Sequence, residues 1–260
     1  KGGAGGFGGY ILGFGISFLM YMIMALYGQQ VLRGVMEEKT TRVAEVVVSS
    51  VRPVTLMAGK VLGVGAVVLI QQALWIGLTS VLGAALAPTV QRMQASRAAE
   101  AVAAGRAGAD PDMVKQVMES FSVELMVATV VFFVLGFLFY ASLYAAVGAT
   151  VSSEQDAQQA AAPIAFLLVP SIIFLQPILL APTGTLAIVM SILPFSAPIV
   201  MPMRMSMIEV PAWEIIASFA SAFLGCAAAL WFAARIYRVG LLMYGKRPTY
   251  RELMKWVRYS

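Results

Sequence analysis

The residues able to do chemistry gather in one stretch, Arg33 to Lys60, which reads RGVMEEKTTRVAEVVVSSVRPVTLMAGK. Its charges are Arg33, Glu37, Glu38, Lys39, Arg42, Glu45, Arg52 and Lys60, in a chain that otherwise avoids charge. The one enzyme-like pattern is Glu37-Glu38-Lys39-Thr40-Thr41-Arg42, a Glu-Glu-x-x-x-Arg set. The 260 residues include no histidine, which removes Ser-His and Cys-His nucleophile systems and every histidine-based metal site. No Gly-x-x-x-x-Gly-Lys-Ser/Thr loop occurs, so the sequence offers no P-loop for ATP hydrolysis. No catalytic residue, metal ligand or cofactor is therefore assigned to this chain. The stretch offers instead a charged surface with more bases than acids, and short basic loops stay on the cytoplasmic side of a membrane.

The elements around it are membrane spans. Apolar residues make up 60% of the chain and charged residues 12%, with a mean hydropathy of +0.84. Ordinary soluble domains are roughly 45–50% apolar and about 25% charged. Uncharged runs longer than about 18 residues recur, and those read as spanning helices. The net charge of +5 is spread over membrane edges, which points to topology and lipid headgroups and away from nucleic acid. Cys226 is the single cysteine; it lies in an apolar run and reads as a small packing residue.

In order along the chain, residues 1–9 read as an external glycine-rich linker, and with Lys1 in first place the expectation is a piece of a longer protein. The expected spans are 10–32, 56–86, 124–151, 160–180 and 213–234. Gly5, Gly9 and Gly13 have the four-residue spacing that lets another helix come close. Val43, Val46 and Val47 share one face of a short amphipathic helix between the first two spans, and Pro53 suits the first turn of the second. Gln71 and Gln72, near the middle of that span, need satisfied side chains. Interhelical hydrogen bonds are the favoured use and a translocation path the alternative.

Residues 87–120 read as an external helical hairpin, its second arm starting at Asp110-Pro111. Ser153 reads as an N-cap, followed by Glu154 and Asp156 in the first helical turn. Pro182, Pro194, Pro198 and Pro202 interrupt the next uncharged stretch. The tail, 237–260, is strongly basic and should be cytoplasmic. It returns to the side of Arg33–Lys60 only if 185–207 dips in and re-emerges, a re-entrant pair covered by protein. Arg204 is then expected at the outer surface beside Glu209 and Glu214, in a headgroup position, and Trp213 and Tyr237 serve as interfacial anchors. The fold class is an all-α integral membrane protein: five transmembrane helices, a re-entrant hairpin and a cytoplasmic helix.

Two resemblances bear on function. The Glu-Glu-x-x-x-Arg set is similar to the signature of the intramembrane glutamate proteases, but those enzymes also use histidines, which are missing here. A broader likeness covers nearly the whole chain. Gly34-Val35-Met36-Glu37-Glu38-Lys39, Arg42, Glu45, Ser49-Ser50, Arg52-Pro53 and Ala58-Gly59-Lys60 resemble the signature of ATP-binding-cassette (ABC) exporter permeases of the sodium-exporter type. The likeness continues at Ser153-Glu154-Gln155, Leu193-Pro194-Phe195-Ser196-Ala197-Pro198 and Tyr244-Gly245-Lys246-Arg247-Pro248. Members of that family carry a further N-terminal helix and a large external domain, and neither is in this sequence.

The resemblance implies a permease in a bacterial or archaeal cell membrane with its C-terminus cytoplasmic. It implies that Glu37–Ser50 is a coupling helix seated in an ABC ATPase subunit, with Glu37, Glu38, Arg42, Glu45, Val46 and Ser49 as contacts. Ser153, Glu154 and Asp156 would make a second contact. ATP and Mg2+ would be bound by the partner, a second permease subunit would complete the exporter, and sodium would be the substrate. The competing reading is an ATP-independent secondary transporter or channel. The absence of acids from mid-span argues against ion coupling of that kind.

Overall fold

The computed structural model describes residues 7–41, 53–103 and 122–240, and every regular element among them is a helix. In chain order these are α1 (Phe7–Thr40), α2 (Pro53–Ala103), α3 (Val123–Thr150), α4 (Glu154–Ile173), α5 (Leu175–Leu180), α6 (Thr185–Ile192), α7 (Ala197–Met207) and α8 (Ala212–Gly240). Five stretches are long and apolar enough to cross a membrane: Gly9–Thr40, Pro53–Leu74, Val123–Thr150, Glu154–Leu180 and Ala212–Gly240. The protein is an all-α integral membrane protein.

Local chemistry sets the helix limits. Pro53 opens α2, where a missing N–H costs nothing. Ser122 Oγ accepts from the Leu125 N–H at 3.1 Å and starts α3, and Ser153 Oγ accepts from the Asp156 N–H at 3.2 Å and starts α4. Leu193, held extended by the following Pro194, ends α6. Pro177 stands four residues beyond Ile173, where its ring opposes a continuous helix, and α4 gives way to α5 at Phe174.

α3 lies at the centre, packed against α1, α2, α4, α7 and α8. Tyr140, Ala141, Ala145 and Ala149 on it are buried in the main core with Met24, Val35 and Val68. Its small residues let neighbours come close, the usual means of packing helices in lipid. A Cβ added at Gly148 would lie 2.7 Å from the Leu32 carbonyl oxygen, so α1 and α3 touch there backbone to backbone.

α6 and α7 form a proline-tipped hairpin that reaches into the bundle. At its tip, the Phe195 carbonyl accepts from Tyr140 Oη at 2.8 Å, and Pro194 packs on Gly225. Gly225 is 13 residues into α8, about 20 Å from its start at 1.5 Å per residue. At the hairpin's other end, Ser206 Oγ donates to the Gly9 carbonyl at 3.3 Å. Gly13 also faces α7, its added Cβ falling 2.7 Å from Ser206 Oγ. The Gly9 and Gly13 spacing is thus used for a close approach.

Several boundaries differ from those expected. α1 begins at Phe7, inside the expected linker, and runs on to Thr40, eight residues past Leu32. Arg33 to Lys39 are therefore helical, because Val35 and Lys39 on their inward side are buried. α2 continues through Pro88 to Ala103 with no break at residue 87. The expected second arm from Asp110-Pro111 lies outside the described residues, as does the tail beyond residue 240.

Candidate functional site

The described charges of that stretch, Arg33, Glu37, Glu38, Lys39 and Lys60, lie at one end of the bundle, and Lys39 is their keystone. Thr41 ends α1: its N–H and its Oγ1 both bond to the Glu37 carbonyl, at 3.0 and 2.8 Å. Two residues back, the Lys39 side chain points inward and is 1% exposed. Its ammonium donates to the Ala149 carbonyl at 2.6 Å and to the Gly240 carbonyl at 2.9 Å. These acceptors lie in the final turn of α3 and at the last residue of α8. Helix C-terminal carbonyls carry the negative end of the dipole and lack intrahelical donors, so a cation there is favoured. One side chain from α1 thus gathers the ends of two other helices.

Beside it, Glu38 Oε1 pairs with Lys60 Nζ at 2.7 Å, and both side chains are largely shielded. The pair joins the last turn of α1 to the start of α2, the two flanks of residues 42–52. Arg33 Nε lies 3.6 Å from Glu154 Oε1, an exposed pair linking α1 to the first turn of α4. Ser153, Glu154 and Asp156 therefore share this end with Glu37 and Glu38. Gly240 also lies here, which puts the last described residue of α8 at the same end as the charged stretch.

The candidate residues fare differently. Glu37 is exposed and Glu38 half-buried, but both belong to the last turn of α1, so they do not form part of a separate short helix. Arg42, Glu45, Val46 and Ser49 lie outside the described residues. Gln71 Oε1 accepts a short hydrogen bond from Tyr27 Oη on α1, which is the interhelical use. Gln72 is half-buried. Lys39 was not among the candidates; a lysine adjoining two glutamates reads as solvated, and only the burial of Val35 one turn earlier hints at its inward face.

Two expectations are overturned. Tyr237 is fully buried, with its hydroxyl near Glu38, so it cannot act as an interfacial anchor. Trp213 remains exposed. Arg204 is 1% exposed and does not lie among headgroups. Its Nη1 meets Glu214 Oε2 at 2.7 Å and donates to Ser191 Oγ at 2.6 Å, while Nε donates to the Pro182 carbonyl at 2.9 Å. Glu214 is the expected neighbour, but the pair is interior because α6 and α7 fold over it.

A bundle of five long apolar helices with a charged end and an inserted hairpin is the build of a multi-pass membrane protein. Residues 2–235 match the ABC-2 family transporter proteins, and the chain belongs to that family. It is 29% identical over 243 residues to the uncharacterized protein YhaP of Bacillus subtilis (strain 168), covering 94% of this chain and 54% of YhaP. It is 26% identical over 245 residues to the uncharacterized protein MJ1024 of Methanocaldococcus jannaschii, covering 94% of this chain and 53% of that protein. The chain thus spans about half the length of the curated relatives it matches. No solved structure matches it. Family membership makes the chain part of the membrane component of an ABC-type transporter.

Proposed function

We propose that the chain is the permease part of an ATP-driven exporter and that its charged end faces the cytoplasm, where a separate ABC ATPase subunit seats. The observation that carries this reading is the Lys39 ammonium bridging the ends of α3 and α8. Residues 42–52 join α1 to α2 directly beyond that clamp. A push on them, delivered when the partner closes on ATP and Mg2+, reaches α1 through its last turn. It reaches α3 and α8 through Lys39, and α2 through the Glu38–Lys60 pair.

In this reading Glu37, Arg42, Glu45, Val46 and Ser49 contact the ATPase, and Glu154 and Asp156 form a second contact at the same end. Two such chains enclose the path. α6 and α7 make a re-entrant hairpin from the outer side, since the first turn of α8 lies opposite the charged end. The basic residues of 33–60 and of the tail favour this orientation. Sodium is the substrate that the exporter resemblance brings. The acids of the described segments, however, all lie within a few residues of helix ends, which favours a cargo other than a bare cation bound mid-span.

Affinity purification of the tagged full-length protein from its own cells tests the reading. An ABC ATPase should come down with it, and Glu45→Arg should weaken that association. Lys39→Met should keep the ATPase attached while lowering the amount transported per ATP hydrolysed. Transport by the wild-type protein without any nucleotide-binding partner would overturn the proposal.

A further inference from the structure

A cavity of about 360 Å³ opens between α1, α3 and α4 at the charged end. That volume is in the range of small-molecule sites, roughly 300–1,000 Å³. Its walls are of two kinds. Gln29, Arg33, Glu154 and Gln158 form the polar part. The rest is apolar: Leu32, Tyr144, and the α4 alanines Ala157, Ala161 and Ala165. The alanines recur every four residues and so line one face of the helix.

The dimensions match one membrane leaflet. From Glu154 to Ala165 is 11 residues of continuous helix, about 16 Å at 1.5 Å per residue. Half of a hydrocarbon core of about 30 Å is about 15 Å. The cavity therefore starts at the level of the Arg33–Glu154 pair, where α4 begins, and runs down α4 for a leaflet's depth. α4 is an outer helix, with Phe166 and Ile173 exposed on it, so the cavity can be reached sideways from lipid. Its two charges have opposite sign, lie 3.6 Å apart, and are both more than half exposed. An exposed pair of this kind is held weakly and is readily exchanged for other partners.

We infer that this cavity binds a zwitterionic phospholipid drawn from the leaflet at the charged end. The lipid phosphate takes Arg33, its ammonium takes Glu154, and an acyl chain lies along the Ala157–Ala161–Ala165 face. Charge complementarity selects the headgroup: an anionic lipid would satisfy Arg33 but set a second negative charge beside Glu154. The site stands on this geometry alone. Its further role, as the place where an amphiphilic cargo loads, rests on the permease reading.

The test uses full-length protein in nanodiscs of phosphatidylethanolamine and phosphatidylglycerol. A phosphatidylethanolamine carrying a photoreactive group in its acyl chain is irradiated, and the adducts are mapped by mass spectrometry. The expected result is an adduct on the peptide spanning 154–165, several-fold stronger than with the matching phosphatidylglycerol probe. Ala165→Trp, at an exposed position on the cavity wall, should reduce it about tenfold. Glu154→Gln should keep the adduct but abolish the preference between the two lipids, a readout that stands even if the tryptophan variant does not fold. Adducts no stronger here than around Phe223, on the exposed side of α8, would overturn the inference. So would cross-linking of this face to a second copy of the chain, or an unchanged headgroup preference in Glu154→Gln. Copurification of the ATPase is scored on the same preparation. A mapped adduct without an ATPase would reject the ATPase-coupled reading and leave the lipid site standing.

Discussion

Each end of the bundle buries a basic side chain, and the two are held in opposite ways. At the charged end, Lys39 bonds backbone carbonyls at the ends of two helices, next to the segment that joins α1 to α2. At the other end, Arg204 is enclosed by Glu214, Ser191 and Pro182, on three separate pieces of chain. Carbonyl contacts at helix ends can slide and re-form as the helices tilt. An arginine fixed by a carboxylate, a hydroxyl and a carbonyl cannot shift without stranding a buried charge. In the proposed coupling, motion would enter at the lysine end and turn about the arginine end.

The strongest way to break this contrast is at the pivot. Arg204→Met leaves Glu214 buried without its cation and should cost about 3–5 kcal/mol, read as a large fall in thermal unfolding temperature in detergent. Adding Glu214→Met should recover most of the loss, because an apolar pair of similar volume needs no desolvation. At the charged end, Lys39→Met removes the charge-assisted hydrogen bonds to the Ala149 and Gly240 carbonyls and should cost less, about 2–3 kcal/mol by chemical or thermal unfolding. Lys39→Arg should retain part of the stability.

Between the ends, Gly148→Ala drives a methyl against the Leu32 carbonyl and should cost about 1–3 kcal/mol by overpacking. Cysteine cross-linking between α1 and α3 would show the two helices spread. The smallest effect is expected at Tyr27→Phe, which leaves Gln71 without its donor; interhelical bonds of this type are worth about 0.6 kcal/mol on average. Thermal unfolding of this variant should stay near wild type, and a large loss would mean that α2 is held more tightly than its exposed Leu62, Ile70 and Leu74 imply.

Much of this arrangement can be read from the sequence, for definite reasons. Uncharged runs longer than a bilayer's thickness mark the spans whatever their partners are. Ser153 followed by Glu154 and Asp156, and Pro53 after a charged stretch, mark helix starts because capping is local chemistry. The tertiary pairings are not marked. Pro182, Ser191, Arg204 and Glu214 meet only because the proline-tipped hairpin folds back, so Arg204 reads as an exposed charge. Lys39 and Tyr237 read as edge residues for a similar reason: burial depends on which face of α1 and α8 turns inward, and an apolar helix leaves that face unmarked. Helix persistence is hidden too. Nothing in Arg33–Thr40 forbids a helix, so α1 runs on past the point where charge begins, and α2 runs on through Pro88.

The proposed function sets the charged end in the cytoplasm, against the ATPase. It is tested most directly by labelling with a membrane-impermeant maleimide, in a Cys226→Ser background, at Glu37→Cys and Glu209→Cys. Glu37→Cys should react only in inverted vesicles and be shielded when the ATPase subunit is bound, while Glu209→Cys should react only in intact cells. Labelling of Glu37→Cys from outside intact cells, or equal labelling with and without the ATPase, would contradict it.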